Sequence, residues 1–294
     1  MAFELAAGSV IGYDHIRSGT TFIGGSNQDA YAMAVSEQLG FTIGVVCDGC
    51  GGKVRSELGA VFTANLVVDR LMQSLLYQGD RWGMIEQWVI SDLIELASLY
   101  RKRDVSEILF TTIVGFLIHE EEGTVTVFNI GDGYYGVNLE TTVLESPIPN
   151  TPPYLAYQIT GAEEETGEQF MAALGDRPYS FQTRGWPIDD VKSVFVATDG
   201  LRYLIPAVGK PLTSKPSQKI PTLLEIMCMN QVFQNPFRLG HLLNAINNEG
   251  LIVENGKAKR VTPPLLDDTT IILARRKAPE PEPAPAPELE GETP

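Results

Sequence analysis

The chain has 294 residues, 22 Lys and Arg against 37 Asp and Glu, and 44 % hydrophobic residues. A net charge of −15 disfavours the Lys/Arg-driven capture of nucleic acid phosphates and a polybasic membrane patch. Three cysteines are an odd count that speaks against a disulfide scaffold and for a reducing compartment, and the N-terminal MAFELAAGSV has no basic leader. No apolar run approaches the ~20 residues of a membrane span, so a cytoplasmic location is expected.

In chain order, AYAMAV after Asp29 is a possible strand, and FTIGVVC (41–47) reads as a buried one. Leu58, Val61, Phe62, Val68, Leu71, Met72 and Leu75 then recur at three- and four-residue steps and predict a helix. Asp80 is placed to N-cap a second helix with Ile85, Trp88, Val89, Leu93, Leu96 and Leu99 on one face. TTIVGFLIH is strand-sized, and TVTVFNI (124–130) has a period of two. Residues 145–190, rich in Pro, Gly and Glu, read as irregular, a flap over a site. VKSVFVAT (191–198) and TTIILA (269–274) are further strands, separated by a helical region over Pro221–Asn248 that breaks near Asn235-Pro236. Strands and helices without regular alternation imply an α+β domain with largely antiparallel sheets. Residues 1–277 are expected to form that one domain. Residues 278–294, with six prolines and five glutamates, are expected to be a disordered tail.

Three strand-like runs end in the same dipeptide: Asp48-Gly49, Asp132-Gly133 and Asp199-Gly200. Asp267-Asp268 precedes the last strand. Each Asp-Gly taken alone reads as a hairpin turn. Should the strand ends meet, their carboxylates would repel by about 3 kcal/mol per pair at ~5 Å and an effective dielectric near 20. Cations or protons would have to offset that repulsion, and oxygen-only donors select Mg²⁺ or Mn²⁺ over Zn²⁺. The Cys47-x-x-Cys50 spacing invites a redox or zinc reading. Zinc would need two further ligands, and Cys228, His15, His119 and His241 stand at no ligand spacing.

GGSNQDAY (24–31), VVCDGCGG (45–52), FTTIVGFL (110–117), FNIGDGYYG (128–136), VFVATDGL (194–201) and DDTTIILA (267–274) resemble, in order, the motifs of the metal-dependent type 2C protein serine/threonine phosphatases. GSNQDAY with DDTT looks most like a bacterial branch. The resemblance implies a four-layer sandwich, two antiparallel β-sheets flanked by α-helices, with a centre for two Mg²⁺ or Mn²⁺ ions and a weaker third. By this resemblance Asp48 bridges both metals, the Gly49 carbonyl is a ligand, and Asp199 and Asp267 hold the other metal. Asp132 and Asp199 match the third site, and Asp29 matches the residue that orients metal-bound water. The implied reaction is hydrolysis of phosphoserine or phosphothreonine in a protein by a metal-activated water, opposing a serine/threonine kinase. Two positions depart from the pattern. Gly24 stands where many members have a phosphate-binding arginine, with Arg17 the nearest replacement. Cys50 stands where a histidine is frequent, leaving the leaving-group proton to water or to another side chain such as His15. A pseudophosphatase that binds phosphoproteins or scaffolds partners is the alternative.

Overall fold

The structure is a computed structural model that describes residues 3–17, 26–51, 53, 55–76, 81–99, 109–213, 215–254 and 257–277. The tail at 278–294, the capping position Asp80 and Gly24 lie outside the described residues, as does the side chain of Arg17.

Two five-stranded sheets, antiparallel throughout, make the body. One runs β2 (Asp29–Ser36), β3 (Phe41–Asp48), β4 (Ile113–His119), β5 (Thr124–Ile130) and β8 (Gln182–Pro187). The other runs β1 (Phe3–Val10), β12 (Thr269–Arg276), β9 (Ser193–Ala197), β6 (Gly133–Val137) and β7 (Glu140–Leu144). β10 (Gly250–Glu254) and β11 (Lys257–Val261) form a separate hairpin.

Period-two alternation explains the layers, because the central strands are apolar on both faces. Val46 of β3, Val114 and Phe116 of β4, Val194 and Val196 of β9 and Ile272 of β12 meet between the sheets. From the opposite face of β3, Ile43, Val45 and Cys47 pack on α2 (Ser56–Ser74) and α3 (Arg81–Leu99). Phe195 of β9 and Ile271 and Leu273 of β12 pack instead on helices from the 223–246 region. The result is the expected sandwich of two sheets flanked by helices.

Several local readings change. The buried face of α2 is Ser56, Gly59, Ala60, Thr63, Ala64, Val67, Val68, Leu71 and Ser74, and Val61 is exposed. Small residues face the sheet because the helix lies close against it; the bulkier Leu58, Phe62, Met72 and Leu75 are only partly buried. In α3, Ile85, Val89 and Leu93 are buried as the spacing predicts. Residues 145–190 are not irregular: they hold α4 (Tyr157–Thr160), α5 (Glu164–Leu174) and β8. The region at 221–248 is three helices, α7 (Leu223–Cys228), α8 (Asn230–Gln234) and α9 (Arg238–Ile246). The last break is at Asn235, whose side chain accepts from the Phe237 amide at 3.0 Å.

Among the described residues, no helix is long and apolar enough to cross a membrane.

Candidate active site

None of the three Asp-Gly steps turns a hairpin. Asp48-Gly49 leaves β3 toward α2, Asp132-Gly133 carries the chain from β5 in one sheet to β6 in the other, and Asp199-Gly200 leads from β9 into α6 (Leu201–Leu204). All three glycines are required by close approach to backbone, Gly133 also by a φ of +137°. A Cβ on Gly200 would stand 1.9 Å from the Asp268 carbonyl oxygen, and one on Gly49 would stand 2.7 Å from the Ser56 carbonyl oxygen. These contacts pin β9 to the start of β12, and β3 to the start of α2.

The strand ends meet at a cleft of about 530 Å³ lined by Asp48, Gly49, Asp132, Asp199 and Asp267, the metal-ligand candidates of the sequence. Asp29 lies beneath it, paired with Asp48 across β2 and β3 and only 7 % exposed. Asp29 Oδ2 accepts a 2.7 Å hydrogen bond from the Thr198 hydroxyl, and the Thr270 amide donates to that hydroxyl at 3.0 Å. Its Oδ1 is buried with no hydrogen-bond partner among the described residues.

Burial, reinforced by the negative charge of Asp268, pushes the Asp29 carboxyl up to about 7. Burial likewise holds Asp48 well above the usual carboxylate range, with Asp29, Asp132, Asp267 and Asp268 adding repulsion. Asp132 is raised chiefly by burial. These carboxylates ionise reluctantly because low dielectric and like charge both oppose it.

Asp268, the second aspartate of the doublet, is not among the residues that line the cleft. It is 3 % exposed and accepts the amides of Gly12 at 2.6 Å and Gln28 at 2.5 Å. Its Oδ1 also lies 2.9 Å from Nδ1 of His15, and that contact raises the His15 pKa. Asp268 therefore ties the N-terminal segment to the start of β12 and sets His15 on the cleft wall. The Asp267-Asp268 doublet was the only signal for it. Cys50 also lines the cleft, while Cys47 is buried behind it; both are free thiols.

Arg202 was not foreseen. It stands three residues after Asp199, pairs with the Asp199 carboxylate and lines the same cleft.

Among the described residues, no three His, Cys, Asp or Glu side chains form a ready-made metal-binding group. The donor chemistry nonetheless fits Mg²⁺ or Mn²⁺. The acidic side chains that line the cleft offer oxygens alone, and the raised pKa values of Asp48 and Asp132 mark groups whose ionisation calls for a counter-charge.

A variant of a bacterial serine phosphatase is similar in structure, with a TM-score of 0.52, 16 % identity, and coverage of 94 % of this chain and 98 % of that one. Serine/threonine phosphatase Stp1 from Staphylococcus aureus gives a TM-score of 0.46 at 16 % identity, covering 95 % and 96 %. The catalytic domain of serine/threonine protein phosphatase PstP, solved in complex with two manganese ions, gives 0.46 at 15 % identity, covering 93 % and 98 %. A search of curated protein sequences returned no match. The family model for protein phosphatase 2C matches residues 11–231. With three-quarters of its length matched by that model and its two antiparallel sheets in the expected layers, the chain belongs to the protein phosphatase 2C family.

Proposed function

We propose that the protein is a divalent-cation-dependent phosphatase that hydrolyses phosphoserine and phosphothreonine in protein substrates, opposing a serine/threonine kinase. The observation that carries this reading is the meeting of Asp48, Asp132, Asp199 and Asp267, from four separate strand ends, at one cleft. Asp48, the Gly49 carbonyl, Asp199 and Asp267 would hold two Mg²⁺ or Mn²⁺ ions, and Asp132 with Asp199 a weaker third. Bound there, the ions would acidify water and neutralise charge on the phosphoryl oxygens. Asp29 Oδ1 is a buried acceptor with no hydrogen-bond partner among the described residues, and a carboxyl titrating at about 7 suits an acceptor of the proton from an attacking water. Thr198 holds the other Asp29 oxygen and so fixes the direction of the first. Free thiols at all three cysteines support a reducing, cytoplasmic setting.

The pairing of Asp199 with Arg202 favours a second reading, a pseudophosphatase that binds phosphoproteins without turnover. Hydrolysis of p-nitrophenyl phosphate separates the two. The phosphatase reading expects activity with added Mn²⁺, loss on chelation and recovery when the ion is restored. Phosphopeptide binding without hydrolysis at any Mn²⁺ concentration would favour the pseudophosphatase.

A further inference from the structure

We propose that Arg202 binds the phosphate of the substrate, resting on Asp199 until the anion enters; the assignment builds on the phosphatase reading above. The cleft presents Asp48, Asp132, Glu145, Asp199 and Asp267 to whatever enters. A phosphomonoester dianion meets like charge from each of them. Among the described residues that line the cleft, Arg202 supplies the only guanidinium or ammonium group.

Its placement follows from local sequence. Asp199-Gly200 ends β9, and Arg202 is the second residue of α6. Its Nε donates to the Asp199 carbonyl at 3.2 Å, and a terminal nitrogen pairs with the Asp199 carboxylate. The guanidinium carbon lies 5.6 Å from the centre of the Tyr203 ring, which supports one face of the planar fork. The positive charge reaches across the cleft wall, pulling against the burial that raises Asp132 and Tyr134.

The side chain is 45 % exposed, so the ion pair is only weakly stabilising and can be exchanged for another acid. A guanidinium makes two parallel hydrogen bonds to phosphate oxygens as readily as to a carboxylate. A divalent ion on Asp199 would satisfy that carboxylate and release the fork toward the incoming phosphate. Arg202 thus serves as the counter-ion of Asp199 in the empty cleft and of the substrate in the filled one.

The test compares wild type, Arg202→Ala and Arg202→Lys, each checked for folding by circular dichroism. Calorimetric titration with inorganic phosphate in saturating Mn²⁺ is set beside kinetics on a phosphothreonine peptide. Loss of a bidentate charged contact should raise the phosphate Kd and the peptide KM about tenfold in Arg202→Ala. Lysine, a point charge without the fork, should raise both roughly threefold. The value of kcat should stay within about threefold of wild type, since the contact is made already in the ground state. An unchanged phosphate Kd in Arg202→Ala would overturn the assignment and leave Arg202 as a counter-ion of Asp199, whatever happens to Mn²⁺ affinity. A wild type that binds phosphate but hydrolyses nothing would sink the phosphatase reading alone, and the Kd comparison would still decide the role of Arg202.

Discussion

At the scale of single residues, the carboxyl groups under the cleft couple folding to proton binding. Asp29 titrates at about 7 in the folded protein against an ordinary 3.8, because it is buried beside Asp268. Between those values the native chain keeps a proton that the unfolded chain has released. The contribution of Asp29 to stability is therefore lost as pH rises through this window in the cation-free protein. Asp29→Asn removes the effect while keeping an oxygen for the Thr198 hydroxyl. In chelator, the melting temperature of the variant minus that of wild type should be constant only well below the ordinary carboxyl value, at about pH 3 and under. It should rise by roughly 5 °C on going to pH 7. A difference that does not change with pH would show that Asp29 ionises freely in the fold. Asp48, Asp132 and Asp199 stand out in sequence because each closes an apolar run, and Asp267 because it precedes one; their roles as ligands come from the family resemblance. Asp268 was half-legible, as one member of a doublet whose buried role depends on amides at Gly12 and Gln28. Arg202 carried no signal, since its partner and its neighbours in the cleft are set by the meeting of the sheets.

At the scale of elements, strands with clear alternation were read almost to the residue. TVTVFNI is β5, and FTIGVVC gains only Asp48 to become β3. β1 was missed because FELAAGSV mixes small residues with Glu4, whose charge is matched by Arg275 of β12 at 2.6 Å. The face of α2 was misread because size, not hydrophobicity alone, decides which residues fit under a sheet. Residues 145–190 were misread because what orders them lies elsewhere in the chain. Glu86 of α3 is 4 % exposed. It accepts the Phe181 amide at 2.7 Å and pairs with Arg177 at 2.9 Å. Pro149, Asn150, Pro152 and Tyr154 of the same segment line the cleft, so this buried carboxylate helps to hold one wall of the site. Glu86→Ala leaves the Phe181 N–H buried and unpaired, at a cost of about 1–3 kcal/mol. The expected outcome is a lower melting temperature and faster hydrogen exchange at the Phe181 amide, with exchange in β3 and β4 much less affected. Equal exchange at Phe181 in variant and wild type would mean that the segment is held by other contacts.

At the scale of the whole molecule, the site exists only because distant parts of the chain are paired. β1 and β12 run side by side from Phe3 against Arg276 to Val10 against Thr269, closing the domain end on end. Asp29 is set against Asp48 by the β2–β3 register, and the Asp132 step crosses between sheets. Periodicity reveals strands but not their partners, so the convergence of the aspartates came from family resemblance and not from spacing. On the proposed function, a chain of net charge −15 that gathers carboxylates around a cleft would need divalent cations to accept a phosphate there. Asp48 is the residue on which this account turns. Asp48→Asn keeps shape and a carbonyl oxygen but removes the charge assigned to holding two cations together. Folding should survive, because relief of repulsion among buried carboxylates offsets the lost donor. The decisive measurement is calorimetric Mn²⁺ titration beside phosphatase rates for wild type and Asp48→Asn. The account predicts two ions bound by wild type, one or none by the variant, and at least a ~100-fold fall in kcat, roughly 2.7 kcal/mol of transition-state stabilisation. An Asp48→Asn protein that binds two ions and turns over at the wild-type rate would contradict it.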